Sequence, residues 1–138
     1  ILDLFAGTGS FGIECLSRCA ESVIFFENYL DSNKILKQNL EKLELTNKTQ
    51  VFDGDSYEFK KNQLSNDKFY LIFLYPPFND DKINKLIDRI KKSNISDKNT
   101  LIILHRNKKT KEKISDNLNI LREEYYGISK IIFGRILS

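Results

Sequence analysis

The 138 residues contain only one histidine, two cysteines and two prolines, and the prolines are adjacent. A zinc site lacks ligands in such a chain, and Cys15 and Cys19, four apart on an expected helix, are poorly placed to bridge. Both thiols are expected to be buried structural residues, a usage that suits a reducing cytoplasm. No apolar run approaches the roughly 18 residues that a membrane span requires. Neither sign of charge dominates: 22 Lys and Arg stand against 19 Asp and Glu, a net charge of +3. That balance permits a nucleic-acid partner if the positive charge is clustered, without demanding one. An initiator Met is lacking too, and Ile1 already stands in an apolar strand, so the chain is expected to be missing an amino-terminal segment. What remains, 41% hydrophobic and 30% charged, is a globular composition of the length of one domain.

Apolar runs alternate with helical-period segments, the pattern of parallel strands joined by crossover helices, so the expected fold class is α/β. Strands are expected at Ile1 to Phe5, Ser22 to Glu27, Gln50 to Asp53, Phe69 to Leu74 and from Thr100 ("TLIIL"). Helices are expected over about Ser10 to Cys19, after a cap at Asp31 or Ser32, over about Tyr57 to Leu64, and after the prolines. In the second of these Ile35, Leu36, Leu40 and Leu43 should share a face; in the last, Ile83, Leu86, Ile87 and Ile90 form a regular stripe. The end changes character, because "NILREEYYG" and "SKIIFGRIL" around Gly127 read as an antiparallel hairpin. The whole is a doubly wound, mostly parallel seven-stranded sheet with a C-terminal antiparallel hairpin.

Chemistry is expected at the carboxyl ends of the strands. "DLFAGTGSFG", Asp3 to Gly12, follows a strand and opens a helix, so Gly7 and Gly9 let the backbone turn tightly and approach a ligand. The G-x-G-x-x-G spacing also fits dinucleotide binding, but Asp3 would oppose a pyrophosphate and suits an amine-bearing ligand. Glu27, 18 residues after Gly9, stands where two carboxylate oxygens could grip a ribose diol. Asp55 could accept from the exocyclic amine of an adenine, with Ser56 beside it to donate. In "LIFLYPPFNDD", Pro76 and Pro77 stiffen a loop whose carbonyls no ladder consumes, and Phe78 offers a flat apolar face. Such a loop can hold a planar base by its amino hydrogens.

Together "ILDLFAGTGSFGIECLSR", the strand-ending Glu27, "GDSYEF", "IFLYPPF" and "YYGISKIIF" resemble the bacterial 16S ribosomal RNA guanine-N2 methyltransferases. The resemblance covers essentially the whole chain and implies the Rossmann-like fold of S-adenosylmethionine-dependent enzymes. It implies that Asp3, Phe5, Gly7 and Gly9 hold the methionine portion of the cofactor, Glu27 the ribose, and Asn28, Asp55 and Ser56 the adenine. The loop Tyr75, Pro76, Pro77 and Phe78 would receive a guanine flipped from structured RNA. The implied partner is 16S rRNA or the assembling small ribosomal subunit, and the implied protein is a cytoplasmic monomer without a metal.

The chain departs from the family pattern in two side chains. Tyr75 replaces the acid that usually leads the loop, and Tyr29 stands where a second acid usually follows the ribose-binding Glu. A phenol accepts more weakly than a carboxylate, so this chain is expected to keep the cofactor pocket but to be slow or inactive in methyl transfer. The same loop type also serves DNA adenine and protein amides, and a cofactor- or RNA-binding remnant without catalysis is the reading of another class. The basic run "HRNKKTKEK", His105 to Lys113, is expected to follow the fifth strand, either contacting phosphate or simply solvated, with His105 packing at the strand end.

Overall fold

The computed structural model describes residues 1–64, 68–77 and 82–137. The fold is the expected one, a seven-stranded, mostly parallel sheet with a C-terminal antiparallel hairpin, and three helices among the described residues. It divides into two compact units, Ile1–Phe59 and Lys60–Ser138.

In the first unit β1 (Leu2–Leu4), β2 (Val23–Glu27) and β3 (Thr49–Asp53) lie side by side in parallel, in the order β3-β2-β1. β1 and β2 are buried along their whole length, which is why both read as unbroken apolar runs. The helix α1 (Ser10–Ser17) connects β1 to β2 and begins at Gly9, whose φ of 90° is open to glycine. At Gly12 a Cβ would lie 2.3 Å from the Phe25 ring, so only a hydrogen lets α1 approach β2 this closely. The core here is Leu16, Val23, Phe25, Leu36 and Leu40.

The second crossover helix, α2 (Leu30–Lys42), starts before the expected cap: Tyr29 is its N-cap residue, and Asp31 sits in the first turn, where an acid complements the helix dipole. Its buried face is Asn33, Leu36 and Leu40. Ile35 and Leu43 are 45% and 54% exposed. Ile35 is a hundred-degree step off that face, and Leu43 already lies past the last turn. The thiols are also corrected: α1 stops at Ser17, so Cys19 lies outside it at φ 75° and is exposed, while Cys15 is half-buried.

The expected helix over Tyr57 to Leu64 is replaced by separate 3-10 turns, Ser56–Glu58 in the first unit and Lys61–Gln63 in the second. The Asp55 carboxylate accepts from Tyr57 N–H and tightens the first of them, and Phe59 is extended, which ends it. β4 (Leu71–Leu74) pairs in parallel with β5 (Leu101–Asn107); β5 pairs antiparallel with β7 (Ser129–Ile136), and β7 with β6 (Leu118–Tyr126). Gly127, at φ 56°, and Ile128 make the two-residue turn of the hairpin. Between β4 and β5 lies α3 (Ile83–Ser93), whose predicted stripe of Ile83, Leu86, Ile87 and Ile90 is at most 1% exposed.

The strand β5 runs three residues beyond the expected "TLIIL" run, to Asn107, so His105 and Arg106 belong to the strand and not to a basic loop after it. Period-2 alternation then dictates their fates. Ile102, Leu104 and Arg106 share the buried face, and Arg106 is 1% exposed.

Candidate functional site

The loop after β1 is held in a conformation that ordinary side chains avoid. Phe5, Gly7 and Gly9 all have positive φ, at 62°, 60° and 90°. For a bulky residue such as Phe5 this conformation costs about 1–3 kcal/mol, and such residues cluster at ligand clamps. Three side chains hold it in place. Ser56, 4% exposed, accepts the Phe5 N–H on its Oγ at 2.9 Å. Glu27 accepts the Gly7 N–H on Oε1 at 2.8 Å and the Tyr29 N–H on Oε2 at 2.9 Å. Asp3, 1% exposed, accepts the Gly12 N–H on Oδ2 at 3.1 Å and so ties β1 to the first turn of α1.

Burial raises the Asp3 carboxyl from its ordinary 3.8 to about 7; the Gly12 N–H opposes that rise and the nearby Glu27 charge adds to it. The acid therefore sits near half-ionisation at neutral pH. At the ends of β2 and β3, Asn33 donates from Nδ2 to the Glu27 carbonyl at 2.8 Å and to the Asp53 carboxylate. Lys37 lies 3.3 Å from Asp53. The register sets Glu27 directly beside Asp53, so the ends of β2 and β3 form one edge lined with acids. Tyr57 meets the Phe5 ring edge to face at 4.9 Å.

These groups suit a nucleoside-bearing ligand. Each Glu27 oxygen spends one lone pair on a backbone N–H and keeps another for a hydroxyl, so two diol hydroxyls can be met by one carboxylate. A Cβ at Gly7 would touch nothing within 4 Å, which leaves room at the loop, whereas at Gly9 it would strike Leu36 at 2.3 Å. Among the described residues no three His, Cys, Asp or Glu side chains are grouped to hold a metal. No helix among them is long and apolar enough to cross a membrane.

In the second unit the chain leaves β4 at Tyr75, which is 51% exposed, followed by buried Pro76 and exposed Pro77. The Tyr75 ring stacks on His105 with centroids 3.9 Å apart and planes inclined by 14°. His105 Nε2 is paired with Ser129 Oγ at 2.8 Å, and partial burial lowers the imidazole pKa. Arg106 reaches the loop from the other face of β5, donating from Nη1 to the Pro77 carbonyl at 3.1 Å. The same guanidinium makes a forked pair with Glu112, 2.5 Å from Nε to Oε1 and 2.7 Å from Nη2 to Oε2.

The structure thus joins Phe5 to Ser56, Gly7 to Glu27 and Asp3 to Gly12 by hydrogen bonds, with Gly9 in the same loop and exposed Asn28 and Asp55 next in sequence to Glu27 and Ser56. Ser56 Oγ accepts from Phe5 and keeps its own O–H to donate. The Pro77 carbonyl accepts from the Arg106 side chain on one of its two lone pairs. Phe78 lies outside the described residues. Sequence reasoning missed Asn33, although a polar residue at the head of the Leu36 and Leu40 face was a legible signal. It also missed the Tyr75–His105 stack and the Arg106–Glu112 pair, which join residues about 30 and 6 apart and leave no local signature.

The chain is similar to known proteins over nearly its whole length. Residues 1–135 match the model of a family described as conserved hypothetical protein 95. The chain is 32% identical over 133 residues to a provisionally named rRNA methyltransferase of Bacillus subtilis, covering 94% of this chain and 72% of the relative. It is 33% identical over 128 residues to the ribosomal RNA small subunit methyltransferase D of Haemophilus influenzae, covering 92% and 66%. The crystal structure of a provisionally named methylase from Haemophilus influenzae superposes with a TM-score of 0.84 at 32% identity, over 99% of this chain and 86% of that one. With nearly its whole length matched, the chain belongs to the family of the ribosomal RNA small subunit methyltransferase D proteins.

Proposed function

We propose that this protein transfers a methyl group from S-adenosylmethionine to the exocyclic N2 of a guanine in small-subunit (16S) ribosomal RNA. The observation that carries the reading is Glu27, a strand-end carboxylate held by two backbone donors beside a glycine loop in left-handed conformation. In this reading Asp3, Phe5, Gly7 and Gly9 serve the methionine portion, Glu27 the ribose, and Asn28, Asp55 and Ser56 the adenine. Asp3 and Ser56 act by holding the backbone of the loop, as their bonds to Gly12 and Phe5 indicate.

The cofactor supplies an electrophilic methyl on a good leaving group, so the protein needs to supply position and the exclusion of water. The loop Tyr75, Pro76, Pro77 and Phe78 receives the base. Arg106 orients the Pro77 carbonyl, which keeps a second lone pair, so it and the carbonyls that precede it can take the hydrogens on N2. The proton released on methylation passes to water. The exposed lysines 108, 109, 111 and 113 add a salt-dependent attraction for phosphate. The 138 residues act as a single methyltransferase domain, a cytoplasmic monomer whose partner is 16S rRNA or the assembling small subunit.

Tyr75 favours a second reading, a cofactor- and RNA-binding protein without catalysis, because its ring is docked on His105 and offers no carboxylate. Calorimetry with S-adenosylhomocysteine, joined to radiolabelled methyl transfer onto naked 16S rRNA and onto assembled subunits, separates the two. Binding with transfer supports the enzyme; binding without transfer selects the second reading; no binding removes both.

A further inference from the structure

We propose that Arg106, held by Glu112, is a positioning residue that sets the conformation of the base-receiving loop. The inference rests on the methyl-transfer reading for what the loop receives, and on the structure of the second unit for the rest. A guanidinium at 1% exposure is costly to bury, and it persists only where its hydrogen bonds are well met. Glu112 meets two of its N–H groups in a fork, which fixes the plane of the guanidinium. The Nη1 donor then points at the carbonyl of Pro77, a residue with no N–H of its own to anchor it.

The neighbouring strand residue works on the same loop from the opposite face, since His105 stacks on Tyr75. The end of β5 therefore grips the loop at Tyr75 and at Pro77, two residues apart. Glu112 lies within the basic run between lysines 111 and 113, so the same ion pair ties a surface suited to phosphate to the loop suited to the base. A shift of about 1 Å at such a loop can cost on the order of 10²-fold in rate, because the acceptor nitrogen must stand in line with the methyl.

His105 is the only histidine in the chain, so its ring protons give isolated NMR signals that the stacked Tyr75 ring displaces. Three proteins are compared with the parent chain: Arg106→Lys, which keeps the charge and loses the fork; Glu112→Gln, which loses the charge and keeps an acceptor; and Tyr75→Ala, which gives the unstacked reference. In Arg106→Lys and Glu112→Gln the His105 signals should move toward those of Tyr75→Ala. Turnover on 16S rRNA should fall by about tenfold or more while KM for RNA changes by less than about threefold. Affinity for S-adenosylhomocysteine should stay within about twofold, as expected for a loop effect.

Unmoved His105 signals in both variants would overturn the proposal, as would moved signals with unaltered turnover. A loss of cofactor affinity parallel to the loss of turnover would also overturn it, because that is general structural damage. If the parent chain methylates no RNA yet the signals move as expected, the clamp stands and the functional reading fails.

Discussion

Replacing Glu27 by Gln tests the cofactor site with a change of one atom. In the native chain both carboxylate oxygens accept from backbone N–H groups, Gly7 at 2.8 Å and Tyr29 at 2.9 Å, and the side chain is 9% exposed. Glutamine has one acceptor oxygen, so its amide nitrogen must face one of these donors. One part-buried backbone N–H then loses its charged acceptor and faces an amide N–H instead, at a cost of about 1–3 kcal/mol. For a domain of this length that lowers Tm by several degrees, on the order of 3 °C per kcal/mol. The same amide cannot accept from the second hydroxyl of a ribose diol. Losing one charge-assisted bond costs about 1.5–3 kcal/mol, so the dissociation constant for S-adenosylhomocysteine should rise about 10- to 150-fold. Calorimetry reads the affinity and thermal unfolding reads the stability. A Gln variant that melts lower but binds the cofactor as the parent does would show that Glu27 only braces the loop, and the ribose assignment would be wrong.

Three further predictions follow from the geometry. Asp3 has a folded pKa near 7 against 3.8, so between these values the folded state binds more protons than the unfolded one. Its contribution to stability is fully present below about pH 4 and is lost as pH rises through 7. The rise from 3.8 to about 7 corresponds to about 4 kcal/mol, and Asp3→Asn, which keeps an acceptor for Gly12, should remove that slope from urea unfolding measured across pH 4 to 8. Gly12→Ala would drive a methyl to 2.3 Å from Phe25, and should destabilise the fold by about 1–3 kcal/mol in thermal unfolding, with a larger loss if α1 has to move. Tyr75→Asp gives the loop the acid that the family pattern carries. It should raise methyl transfer by about 10² or more while leaving cofactor affinity unchanged, and no gain in a transfer assay would count against the slow-enzyme reading.

Elements with one dominant cause were legible in the sequence. The stripe of α3 and the apolar runs of β1, β2 and β4 could be read from period alone, and Gly127 announced the hairpin. Boundaries failed where a single side chain decides them. Asp55 folds its segment into a tight turn by bonding Tyr57, and α2 begins at Leu30 without any capping side chain. The candidate site was legible as a set of strand-end residues, because the ends of parallel strands gather on one edge whatever the loops do. How the residues act was less legible. Ser56 accepts the Phe5 N–H and Asp3 the Gly12 N–H, bonds across 51 and 9 residues that no local pattern announces. Arg106 read as part of a basic surface run. Two more residues of strand put it on the buried face, where charge becomes structure.

The most direct test of the account is the product of the reaction. The protein is incubated with isotopically labelled S-adenosylmethionine and with small subunits or 16S rRNA from cells lacking the modification, and the RNA is digested to nucleosides for mass spectrometry. The account predicts labelled N2-methylguanosine, formed slowly by the parent chain and faster by Tyr75→Asp. Cofactor binding with label on adenine, on a protein amide or on nothing at all, in parent and variant alike, would contradict it.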